Sequence, residues 1–164
     1  MVIRKFIRHL IVESLQTKRI FDSETPWSGF RNVRQFKPKK DLRDSYFYKP
    51  QGLWYSCGTA WRDWLEAENW QPADYQYAYE IIIDPSHMLI IDSEKALDKF
   101  NQKYSFKRDY GDLINWHKVA KDYAGIEICP YQWSYRYVNW YYPWDVASGC
   151  IWNEKAIKQV IELK

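Results

Sequence analysis

The sequence predicts an α+β fold in which strands predominate and two or three helices join them. Three observations carry that prediction. Short β-favouring runs such as YAYEIII and LWY recur along the chain. Amphipathic helical windows stand between them, and Pro, Gly, Asn and Asp punctuate the joins. Neither G-x-G-x-x-G nor G-x-x-x-x-G-K-[ST] occurs among only six glycines, which removes the Rossmann and P-loop architectures. At 164 residues the chain fits one domain, 1–164, with residues 1–30 as an N-terminal helix and link.

In chain order, MVIRKFIRHLIVESLQ sets Ile3, Phe6, Ile7, Leu10 and Ile11 on one helical face. Its basic residues are scattered through the apolar ones, which argues against a signal peptide and for a packing helix. A polar, irregular link over 17–29 follows. NVRQFK, residues 32–37, reads as a strand ended by Pro38. Leu53, Trp54 and Tyr55 form the next strand, entered through a Pro-Gln-Gly turn. Ser56-Cys57-Gly58 makes a small-residue corner, and Thr59 caps a helix with Trp61, Trp64 and Leu65 on one stripe. Residues 69–74 are a loop. Tyr77–Ile83 is a strand, Asp84-Pro85-Ser86 a turn, and Met88–Ile91 a return strand, so the two form a hairpin. A helix then runs to Tyr104 with Ala96, Leu97 and Phe100 inward, and 105–111 is loop. Asn115 caps a short helix ended by Gly125, and residues 126–129 form a strand stopped by Pro130. YQWSYRYVNWYYP, 131–143, is a long aromatic loop of the kind that binds something. Strands over 148–153 and 160–163 complete the chain.

Composition narrows the chemistry. Three cysteines in odd number, without metal-ligand spacing, argue against a disulfide framework or zinc site and make a reducing cytoplasm the default. The three histidines are scattered and form no metal motif. No apolar run is long enough to span a bilayer, so no membrane partner is expected. Residues 1–49 carry 12 Lys and Arg against 5 Asp and Glu, and the basic excess lies in 31–49. Such a patch attracts phosphates of a nucleotide or a nucleic acid. Aromatic residues make up 19% of the chain, more than a core of this size hides, so some rings are expected to line a groove and stack on a planar ligand.

Two carboxylates stand out. Glu127 lies mid-strand between Ile126 and Ile128 and therefore faces away from them. Asp145 follows a cluster of rings and precedes the small-residue run Val146-Ala147-Ser148-Gly149. An acid, a stacking ring, a hydroxyl and a basic strand residue suit cleavage of the bond between nicotinamide and ribose in NAD. That reaction passes through a ribosyl oxocarbenium ion, which an adjacent carboxylate stabilises.

The order of these segments resembles the ADP-ribosyltransferase superfamily, the fold of diphtheria toxin and the poly(ADP-ribose) polymerases. Gly52-Leu53-Trp54-Tyr55-Ser56 with the helix after it resembles the family's second strand. YEIIIDPSHMLII resembles the strand-turn-strand that follows, and DVASGCIW is similar in place to the acid-bearing strand. The resemblance implies a split antiparallel sheet with two to four flanking helices and an NAD-dependent mono-ADP-ribosyltransferase. Arg34, with Lys37 as its rival, would bind the pyrophosphate or the ribose. Trp54 and Tyr55 would form the nicotinamide slot, with Ser56 at its edge. Asp145, or failing that Glu127, would stabilise the oxocarbenium ion. The sequence departs from the family in having no histidine on the early strand and in an acid set before its strand, where a strict alignment gives Ser148. The acceptor would be a protein or a nucleic acid, and small size suggests a bacterial or phage toxin or effector by analogy. The alternative is a non-catalytic module that binds nucleic acid through the basic segment and exposed rings, or blocks a partner.

Overall fold

The computed structural model describes residues 18–24, 26–27, 48–70, 75–109 and 111–163. The expected N-terminal helix and the strand over 32–37, with Arg34 and Lys37, lie outside the described residues.

The chain is α+β. Seven strands form one sheet: β1 (Arg19–Ser23), β2 (Leu53–Cys57), β3 (Tyr77–Ile83), β4 (Met88–Ile91), β7 (Gly125–Ile128), β8 (Ser148–Ile151) and β9 (Ile157–Leu163). A separate hairpin joins β5 (Ser105–Arg108) to β6 (Gly111–Ile114). The helices among the described residues are α1 (Ala60–Ala67), α2 (Glu94–Tyr104) and α3 (Trp116–Asp122). The sheet order is β4-β7-β8-β2-β1-β3-β9, and every neighbouring pair is antiparallel except β4 with β7.

Local chemistry accounts for most of these elements. In β3 the alternation sends Tyr79, Ile81 and Ile83 inward, the period of a half-buried strand. Ser93 opens α2 by accepting from the Ala96 amide, and Leu97, Phe100 and Tyr104 form its buried stripe. Asn115 opens α3 by accepting from the Lys118 amide at 2.9 Å. Thr59 stands at the start of α1, but its hydroxyl donates to Asp63 at 2.8 Å rather than capping the backbone.

Besides the Thr59 cap, the structure corrects five expectations. The link over 17–29 contains β1, a five-residue strand that includes Arg19 and Asp22 and is too short to show a period. The hairpin of β3 with β4 does not form. Asp84 accepts from the Ser86 amide and hydroxyl, Pro85 opens a single 3-10 turn, and β4 leaves for the opposite edge of the sheet. The loop over 105–111 is instead the β5–β6 hairpin, turned at Gly111 with φ of +125°. Gly125 begins β7 rather than ending α3. A Cβ there would lie 2.5 Å from Met88 Sδ and 2.8 Å from the Cys150 carbonyl, so β4 and β8 can close on it only as glycine. Cys57 and Cys129 form a disulfide across 72 residues of sequence, where the odd count had argued against one.

Register sorts the sheet into two faces. Trp54, Cys150 and Ile126 share one row, so they point the same way, with Ser56 two residues along β2. This first face packs on α2, α3 and the aromatic loop, where Trp140, Tyr141 and Trp144 are fully buried among Phe100, Trp116 and Trp152. Tyr55, Gly149 and Glu127 share the next row and point to the second face, with Leu53, Tyr79, Ile81 and Ile151. The loop expected to bind a ligand thus buries Trp140 and Tyr141 in the core and leaves Trp133, Tyr137 and Tyr142 exposed.

Candidate functional site

A cleft of about 270 Å³ opens on the first face, between β1, β2, α1 and the segment before β8. Trp54 and Ser56 of β2 face it, Trp61 of α1 walls one side, and Lys49, Asp145 and Tyr75 edge it. Its size lies just below the usual range of about 300–1,000 Å³ for small-molecule sites. The corner at Gly58, with φ of +62°, turns β2 into α1 and brings that helix over the strand. Arg62 of α1 then grips Asp22 of β1 with both Nε, at 3.1 Å, and Nη2, at 2.5 Å. A second, more open hollow beyond that pair is lined by Arg62, Asn69 and Trp70 and shares Asp22 and Tyr75 with the first.

The charges at the cleft are arranged around one ring. Lys49 Nζ stands 5.2 Å from the centroid of Trp54 and 3.6 Å from Asp145 Oδ2. Trp54 is in turn held edge-on by buried Trp144, with centroids 4.9 Å apart. Burial pulls the Lys49 ammonium below its usual range, while Asp145 pulls the other way. Both side chains stay over a third exposed, at 35% and 39%, so a ligand could displace the ammonium without breaking a buried pair. The cleft therefore already holds a cation between an aromatic face and a carboxylate. Ser56 is buried and donates to the Gly58 carbonyl at 2.9 Å, which fixes the corner.

The other candidate acid lies across the sheet. Glu127 is 4% exposed and accepts from Arg19 twice, Nε at 2.5 Å and Nη2 at 3.0 Å. The Tyr55 hydroxyl donates to the same carboxylate at 2.8 Å. The phenol reaches Glu127 by passing over β8 at Gly149, where any side chain would collide with the Tyr55 ring. Tyr55 was expected beside Trp54 in the slot. It borders the cleft through its strand, but its ring turns to the second face. Burial opposes the charge on Arg19, yet the hydrogen bonds and charge of Glu127 outweigh it and raise the Arg19 pKa. Burial first, then Glu127, hold the Tyr55 phenol well above its ordinary value. Burial does the same for Tyr141.

These two phenols predict an alkaline limit. Their folded pKa values exceed the unfolded value of about 10, so their contribution is intact below that pH and is lost as pH rises through the folded values. Unfolding midpoints in denaturant should fall steadily above about pH 10. In Tyr55→Phe the fall should be shallower, which chemical denaturation at stepped pH will read.

Of the sequence-predicted site residues, the cleft brings together Trp54, Ser56 and Asp145, and it sets Glu127 and the Tyr55 ring apart. Lys49, Trp61, Asp22 and Arg19 were not singled out. Lys49 carried one signal, since it closes the basic segment 31–49. Arg19 carried none, because its partner is 108 residues away. A comparison of the chain with known protein families, curated proteins and solved structures found no match. Among the described residues no helix is long and apolar enough to cross a membrane.

Proposed function

We propose that the chain is an NAD-consuming mono-ADP-ribosyltransferase that takes the nicotinamide-ribose end of NAD into the Trp54 cleft. The observation that carries this reading is that Trp54 and Ser56 of one strand and Asp145, distant from them in sequence, line one ring-sized hollow with a cation held between ring and acid. Nicotinamide in NAD is itself a flat cation. In the cleft it would replace the Lys49 ammonium over Trp54 and face Asp145. When the bond from ribose C1′ to the nicotinamide nitrogen breaks, its electron pair goes to the ring and neutralises it. The positive charge moves to the ribose, where Asp145 would stabilise it. The acceptor nucleophile then bonds to C1′ and gives up its proton. Lys49, freed from Trp54, would pair with a phosphate. Arg34, or its rival Lys37, would bind the pyrophosphate or the ribose, as the resemblance implies.

Strand order brings the parts of the cleft together: β8, which follows the acid, pairs with β2, and β2 pairs with β1, all within the one seven-stranded sheet. Glu127 is not assigned the oxocarbenium role, because Arg19 and Tyr55 occupy its carboxylate on the other face. Nicotinamide release from NAD, with a cell lysate as acceptor source, tests the proposal. Asp145→Asn should lower the release rate about 10²-fold or more, as for loss of one preorganised stabiliser. Glu127→Gln should lower it only in proportion to the protein unfolded. No release by the wild type, or an Asp145→Asn rate equal to it, contradicts the reading.

A further inference from the structure

The second face carries a cluster that the cleft chemistry does not use. Cys57 ends β2 and Cys129 follows β7, and their sulfurs lie with a carboxylate oxygen of Glu127 within 4.8 Å of one another. Both cysteines are half-buried, and Glu127 is buried. We infer that the reduced form of this chain binds one thiophilic dication, of the zinc class, through Cys57, Cys129 and Glu127, and that the disulfide is the oxidised, metal-free state of the same site.

Three features of the cluster support the assignment. The donor set is two sulfurs and one oxygen, which selects a borderline ion over calcium or magnesium. Metal–sulfur bonds of about 2.3 Å and metal–oxygen bonds of about 2.0–2.2 Å put tetrahedral ligand atoms a little under 4 Å apart, so after reduction the two sulfurs would part by side-chain rotation across Cα atoms 6.5 Å apart. Glu127 also retains coordinating capacity. Its Oε2 accepts from both Arg19 Nε and Tyr55, but its Oε1 accepts from Arg19 Nη2 alone among the described residues, which leaves a lone pair for a metal. Arg19 and Tyr55 would then hold the ligating carboxylate from outside, the usual arrangement around such ions. The charges balance as well. Two thiolates and Glu127 carry three negative charges, which Arg19 and a dication cancel, so a largely buried centre is neutral.

The redox step is a two-electron reduction by a dithiol. One sulfur of the bridge passes through a mixed disulfide, the reductant leaves as its own disulfide, and two thiols remain at Cys57 and Cys129. Metal binding then expels the two thiol protons to solvent. The buried thiol of Cys150 lies outside the cluster, and burial raises its pKa well above the ordinary value.

Cobalt(II) is the probe, because thiolate ligation gives a near-ultraviolet charge-transfer band and tetrahedral geometry intensifies the visible bands. The full chain is reduced under native conditions until thiol titration finds all three cysteines free, then titrated anaerobically. The expected result is one cobalt per chain with the thiolate band, displaced by zinc, and no such band in the oxidised protein. Cys57→Ser and Cys129→Ser should each abolish the two-sulfur spectrum. Arg19→Lys, which keeps the charge but not the two-pronged grip, should weaken binding about 10-fold. X-ray absorption on the cobalt form counts sulfur neighbours without a variant and should find two. A fully reduced chain with no charge-transfer band, or a band that survives Cys57→Ser unchanged, overturns the assignment.

Discussion

Arg19→Met is expected to destabilise the protein by about 3–5 kcal/mol, the range for removing one partner of a buried ion pair. The size follows from what is left behind. Glu127 is 4% exposed, and without Arg19 its carboxylate keeps, among the described residues, the Tyr55 hydroxyl alone. The reverse change, Glu127→Gln, should be milder. There the surviving charge is Arg19, whose side chain is 32% exposed and can turn its guanidinium toward water. The amide oxygen of Gln can still accept from Tyr55. Removing both, as in Arg19→Met with Glu127→Leu, should recover much of the loss, because neither charge then stays buried alone. Denaturant melts of the four proteins read all of this. Equal losses in the two single variants would mean that burial of the survivor does not set the penalty.

Reduction of the Cys57–Cys129 bridge is expected to lower stability by about 4 kcal/mol in metal-free buffer, from the loop entropy of a closure of this length. The bridge ties the end of β2 to the end of β7 across the intervening β8, so three strands are held together at one end of the sheet. Cys57 also donates its amide to the Ala147 carbonyl at 3.0 Å, two residues after Asp145. Cys129→Ser should match the reduced protein, and Cys150→Ser should differ from it, since Cys150 takes no part in the bridge. Melts with and without a phosphine reductant measure the difference. An unchanged midpoint on full reduction would show that sheet pairing alone holds that end.

Local pattern and long-range closure were unequally legible in the sequence. YAYEIII announces β3 to the residue, because alternation and β-branched side chains agree there. MLII announces a strand but not its partner. Pairing depends on where the 3-10 turn after Asp84 sends the chain, and no feature of MLII encodes that. β1 has five residues and only Ile20 and Ser23 fully buried, too little signal for periodicity to detect. The bridge of Cys57 to Cys129 and the pair of Arg19 with Glu127 are products of sheet order, which brings β1, β2, β8 and β7 side by side. Within the cleft, Trp54 was legible from its strand, whereas Ser56 shares its face because β2 runs on to Cys57, past the expected start of the corner. Asp145 was legible as an acid among rings, although it proves to sit at the rim, 39% exposed, rather than deep among them. Lys49 and Trp61 complete the hollow only once the Gly58 corner has folded α1 over β2.

Saturation-transfer NMR of NAD with the intact protein asks directly whether a flat cationic ring lies on Trp54. Magnetisation should pass most strongly to the nicotinamide ring protons, and Trp54→Leu should abolish that transfer while leaving the far-ultraviolet circular dichroism unchanged. Equal transfer from Trp54→Leu, or none from the wild type, would contradict the assignment of this cleft.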